Sequence, residues 1–157
     1  MSEAATPTLY EWMGGKPTLD ALLGRFYERV AQDALLAPVF AQMSSEHSAH
    51  VSAFIAEVFG GPRDYSERHG GHPAMIRHHL GRALNEEKRK RWVDLLCESA
   101  NELGVPDDPE FRSAFVAYLE WGSRLAVINS RPGADVDAEQ PMPKWGWGEV
   151  KGPYRAP

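Results

Sequence analysis

A single cysteine, Cys97, stands among 157 residues, which leaves no internal disulfide and no cysteine-based zinc site. It follows Leu95 and Leu96 in an apolar stripe, so a buried, inert thiol is expected. No apolar run approaches the roughly 18–20 residues needed to span a bilayer, and no basic-then-apolar signal pattern opens the chain. The expectation is a soluble, cytoplasmic protein without a membrane partner. Excess basic charge is missing too: the formal net charge is −5, and nothing resembles a row of cations able to neutralise phosphates, which excludes nucleic acid. The densest basic run, Lys88 to Arg91, directly follows Glu86 and Glu87 and is expected to spread over a solvated helix face.

Alternating strand patterns are absent, whereas the helical period recurs four times. Leu19, Leu22, Leu23, Phe26 and Val30 form one stripe behind Thr18 as a cap; Val51, Phe54, Ile55 and Val58 form another behind Ser44 and Ser45. Trp92, Leu96, Ala100 and Leu103 share a face of a helix opened by Asn85. Asp108-Pro109-Glu110 opens the last helix, which carries Phe111, Phe115, Tyr118, Leu119 and Leu125. Each stripe needs a partner, so the fold class is all-α, a sandwich of these helices. Residues 60–73 read as irregular, between Gly60-Gly61-Pro62 and Gly70-Gly71, with Pro73 opening a short helix. Residues 1–128 form one domain. Residues 129–157 hold five of the twelve prolines and read as an extended tail whose Trp145, Trp147 and Tyr154 fold back on an apolar groove.

What the chain does have is histidine, and only in one place. All six fall between residues 47 and 79. Imidazole is the usual nitrogen ligand for iron, zinc and copper, so the cluster suggests a metal or haem centre; the plain alternative is a polar hairpin rich in histidine. His47 lies on the apolar face of its helix with Val51 and Phe54, and His50 lies nearer the polar border. His69 and His72 belong to the bend and are expected to be solvated. His78 and His79 point about 100° apart on a helix, so only one can aim at a given centre, and Met75 is spaced to reach either. His47 with one of that pair makes two ligands, too few for zinc. Haem needs one axial histidine, a polar group opposite and a largely apolar pocket, which suits this inventory.

The order Gly14-Gly15, Arg25-Phe26-Tyr27, Phe40, Gly60-Gly61-Pro62, Tyr65-Ser66-Glu67, Gly71-His72-Pro73, His79, Trp92 and Tyr118-Leu119-Glu120 resembles the truncated haemoglobins, and within them group II. The resemblance covers residues 8 to about 128. It implies a two-over-two helical sandwich around haem b, with a mostly unwound segment before the proximal histidine. In that family the proximal ligand lies six residues past the His-Pro proline and thirteen before a tryptophan, and from Pro73 and Trp92 both counts reach His79. Tyr27 matches the distal tyrosine, Trp92 the tryptophan that marks groups II and III, and Phe40 the aromatic that wedges the porphyrin. His47 falls where a side chain faces the ligand, with Val51 one turn on. Phe54, Met75 and Tyr65 are placed with the cofactor contacts. On residue type alone, Tyr27 is a half-buried helix tyrosine, and Trp92 and Phe40 are core aromatics.

Two departures accompany the match. Leu80-Gly81-Arg82 follows the proximal position where many group II chains have Pro-Phe, and His47 stands where many have a small residue. His47 is therefore expected to gate the pocket, bond the ligand or bind the iron. The resemblance implies a haem protein for oxygen and other diatomic ligands, with Tyr27, Trp92 and His47 acting on the ligand. Redox chemistry on nitric oxide or peroxide, fed by an unidentified reductase, is expected; the alternatives are a non-catalytic haem-based sensor and a haem-free scaffold. A homo-oligomer is compatible with the pattern.

Overall fold

The computed structural model describes residues 5–79, 84–134 and 140–153, with the side chains of residues 77–79 outside the description. All regular structure among the described residues is helical: α1 (Leu9–Met13), α2 (Gly15–Ala31), α3 (His47–Val58), α4 (Asp64–Arg68), α5 (Gly71–His79), α6 (Glu86–Glu102) and α7 (Pro109–Ser130), then a short 3-10 turn, Gly148–Val150. None of these helices is long and apolar enough to cross a membrane.

Local signals explain several of the helix starts. Thr8 and Glu11 form a reciprocal capping box on α1, and Gly14, at φ 108°, lets the chain turn directly into α2. Thr18 is not the cap of α2. The cap is Gly14, four residues earlier, and Pro17 sits in the first turn, where a missing N–H costs nothing. Likewise α3 begins at His47, after Glu46 and without a side-chain cap, rather than at Ser44 or Ser45. The Asn85 side chain accepts from the Lys88 N–H at 2.9 Å, and Asp108 accepts from Phe111 at 3.1 Å with Pro109 beside it, as the spacing implied.

Two long pairs make the sandwich: α2 packs on α3 and α6, and α6 packs on α7. Leu19, Leu22, Leu23 and Phe26 of α2 are completely enclosed, as are Leu96, Phe111 and Phe115 from the opposite pair. Each such side chain contributes about 1.5–3 kcal/mol by leaving water. Leu103 departs from its expected stripe and is exposed at the end of α6.

Contacts distant in sequence alter three further expectations. The segment 60–73 is not wholly irregular, since α4 forms within it. Its Ser66 N–H donates to the buried Glu57 carboxylate at 2.8 Å, and the Ser66 hydroxyl bonds the same carboxylate. Helix α5 starts at Gly71, two residues before Pro73. Arg89 does not lie on a solvated face: it is buried and pairs with Glu86 on its own helix and with Glu120 of α7. Residues 140–153 lie against the helices. The Trp145 N–H donates to the Val58 carbonyl at 2.9 Å, and the Trp147 indole donates to the Pro7 carbonyl at 2.8 Å. Tyr154 lies outside the described residues.

Candidate functional site

A cavity of about 370 Å³ opens between α3, α5, α6, α7 and the chain of turns that precedes α3. Eight of the residues singled out from the sequence line it: Tyr27, Phe40, His47, Val51, Phe54, Tyr65, Met75 and Trp92. Their helix phases bring them there. Val51 and Phe54 share the inner face of α3 with His47, Met75 faces in from α5, and Trp92 from the second turn of α6.

One wall is an aromatic cluster around Tyr27. Its ring meets Phe26 at 4.8 Å, His47 at 5.1 Å and Phe40 at 5.6 Å between centroids, all edge-on, and Phe26 in turn meets Trp92 at 5.8 Å. Edge-to-face contact sets positive ring edges on negative faces and so holds the rings in fixed orientations. The Tyr27 hydroxyl lies 3.0 Å from His47 Nε2. Burial pushes the phenol pKa far above its ordinary value, so Tyr27 stays protonated and remains a donor. A hydroxyl has one proton to donate and lone pairs to accept with. When His47 carries its proton on Nε2 it donates to Tyr27, and the phenol proton is then free to point into the cavity.

The opposite side brings corrections. His72 is not solvated. It is buried, lines the cavity, and its Nδ1–H donates to the Pro141 carbonyl at 3.1 Å, a partner 69 positions away. Burial lowers its pKa. His69 is half-buried, with its ring 4.4 Å from that of His50 and 5.7 Å from that of Tyr65. The backbone of His78 and His79 ends α5, but both side chains lie outside the described residues. Tyr118 and Trp121 of α7 also line the cavity. Sequence reasoning treated Tyr118 as core and passed over Trp121, although their spacing of three places both on one helix face.

The arrangement fits haem on its own evidence. Val51, Phe54, Met75, Ile76 and Leu119 give the cavity apolar walls for a large flat apolar group, and Tyr27, His47 and His72 bring polar groups to it. Among the described residues no group of three or more His, Cys, Asp or Glu could hold a bare metal ion.

Comparison with known proteins agrees. The bacterial-like globin family model matches residues 8–121, so the chain belongs to the bacterial-like globin family. Its relatives there are truncated haemoglobins, group II among them, and haem b is the cofactor of such globins. The group 2 truncated haemoglobin YjbI of Bacillus subtilis is 31% identical over 113 residues, covering 72% of this chain and 83% of that protein. The solved truncated oxygen-avid haemoglobin of Bacillus subtilis superposes with a TM-score of 0.68 at 30% identity, covering 77% of this chain and 99% of that one. The group II truncated haemoglobin of Bacillus anthracis shares the fold, with a TM-score of 0.73 at 22% identity over 85% of this chain and all of its own. The all-helical two-over-two architecture expected from the sequence is thus the observed one.

Proposed function

We propose that this oxygen-binding haem protein holds its ligand tightly, through donors on one wall of the cavity, and uses it in redox chemistry on nitric oxide or peroxide. The carrying observation is the pairing of buried Tyr27 with half-buried His47, 3.0 Å apart, beside Trp92 at the cavity wall. Val51, Phe54, Met75, Tyr65 and Phe40 would hold the porphyrin, and His79 would supply the nitrogen that binds its iron. Position 79 follows His72 and Met75 by seven and four residues on α5, so it recurs on the helix phase of two cavity-lining residues. Haem supplies the iron that binds a diatomic ligand and exchanges electrons with it.

The chain's own residues then decide how the ligand is kept. Tyr27 donates its hydroxyl proton, the Trp92 indole N–H is a second donor, and His47 orients the phenol by donating to its oxygen. The surrounding rings exclude the water that would compete. These donors would favour oxygen, the ligand that takes on negative charge, over carbon monoxide, which takes on little. Tyr27→Phe and Trp92→Phe should each speed oxygen release by about ten- to a hundredfold, from roughly 1.5–3 kcal/mol per bond, with carbon monoxide release changing far less. Stopped-flow release rates test this; unchanged oxygen release in both variants would reduce Tyr27 and Trp92 to packing.

A second reading, a sensor module, draws on the Pro141 carbonyl that joins the tail to cavity-lining His72. It requires that ligand binding change the protease sensitivity of residues 140–153 and that nitric oxide or peroxide not be turned over.

A further inference from the structure

Tyr27 and Trp92, the oxidisable rings on the distal wall, are surrounded by rings that do not pass electrons readily. Tyr27 meets Phe26, Phe40 and His47, and Trp92 meets Phe26. Phenylalanine is much harder to oxidise than tyrosine or tryptophan, so the ring contacts of that wall offer no chain of oxidisable side chains. The α7 wall differs. Tyr118 is buried against the cavity, and its ring lies 6.3 Å from Trp121 and 5.6 Å from Trp145. Trp121 and Trp145 lie 5.7 Å apart and are tilted by 38°. Trp121 both lines the cavity and is 40% exposed, which makes it the most exposed of the aromatic rings that do so. Trp145 is held beside it by the bond from its backbone N–H to Val58. Oxidisable rings are thus in continuous contact from the cavity to the surface on this side.

From this continuity we infer that Trp121 and Trp145 form a surface site where small phenolic reductants deliver electrons to the cavity, with Tyr118 as the inner member of the relay. The inference rests on the peroxide reading given above. In balance, one hydrogen peroxide takes up two electrons and two protons and leaves as two waters. Two phenol molecules each break an O–H bond, give up one electron and one proton, and leave as phenoxyl radicals. The relay carries one electron at a time: Trp121 yields an electron towards the cavity and regains it from the next phenol at the surface. Aromatic side chains whose only task was to pin the tail would need no exposed indole at the cavity edge.

The test uses full-length ferric protein loaded with haem and mixed with one equivalent of hydrogen peroxide. With no phenol present, a nitroso spin trap followed by peptide mass spectrometry should place the adduct on Trp121 or Trp145. Trp145→Phe, which leaves the cavity lining intact, should lose the Trp145 adduct and slow guaiacol oxidation, Trp121→Phe should lose the Trp121 adduct, and the double variant should lose both. A haem spectrum that responds to peroxide, with the adduct on Tyr27 or Trp92, overturns the relay and leaves the peroxide reading standing. A spectrum that peroxide does not alter overturns both.

Discussion

His47 and His72 bring two imidazoles to the same cavity from α3 and α5, and the two are satisfied in opposite ways. His47 meets the hydroxyl of Tyr27, a group that can turn and give its proton elsewhere. His72 donates to a main-chain carbonyl, which can only accept. The first pair can rearrange when a ligand enters, whereas the second fixes one tautomer and ties the tail to the helix that ends at His79. On the proposed reading, one wall responds to the ligand and the other is a fixed frame. His72 is buried and His47 half-buried, and the chemistry of each partner sharpens that difference.

The most severe way to break the comparison is to remove the metal ligand assigned to the fixed wall. His79→Gly should lose stable haem or regain it only with added imidazole, while His78→Ala keeps a near-normal absorbance spectrum. The reverse result would move the ligand by one residue and realign all of α5. A smaller effect is expected at His72. His72→Leu leaves the Pro141 carbonyl without its donor and should lower stability by about 1–3 kcal/mol, read in denaturant unfolding of the haem-loaded protein.

The same residue carries a pH dependence. Burial holds the folded His72 pKa below its ordinary 6.5, so the folded state binds fewer protons than the unfolded chain in the window just beneath that value. The contribution of His72 to stability is present above 6.5 and is lost as pH falls through its folded pKa. Thermal melts of wild type should therefore lose stability on acidification through this window, more steeply than those of His72→Leu; parallel pH profiles would show that His72 is not the titrating group.

Subtler still is the coordination state. With His47 engaged by Tyr27, the deoxygenated ferrous protein should be five-coordinate. A six-coordinate low-spin spectrum that reverts in His47→Ala would make His47 an iron ligand and erase the contrast between the walls.

What could be read from the sequence follows the range of each interaction. Asn85 and Asp108 cap their helices with N–H groups three residues away, and both starts are visible in the chain itself. The α2 stripe is equally visible because a period of 3.6 needs no partner to be recognised. Helix α4 was not legible, since Ser66 depends on a carboxylate nine residues earlier. The burial of His72 and Arg89 was hidden for the same reason: their partners Pro141 and Glu120 lie 69 and 31 positions on. Eight candidate residues reach one cavity because the order of motifs, not the geometry of any one helix, located them. Trp121 escaped because its partner Trp145 is in the tail.

The responsive wall is tested most directly by a double-mutant cycle at Tyr27 and His47, read in the rate of oxygen release. If His47 acts by orienting the phenol, His47→Leu should speed release in wild type and add little in the Tyr27→Phe background, so that the coupling is strongly non-additive. Equal effects of His47→Leu in both backgrounds would contradict the pair and leave two independent residues in a shared cavity.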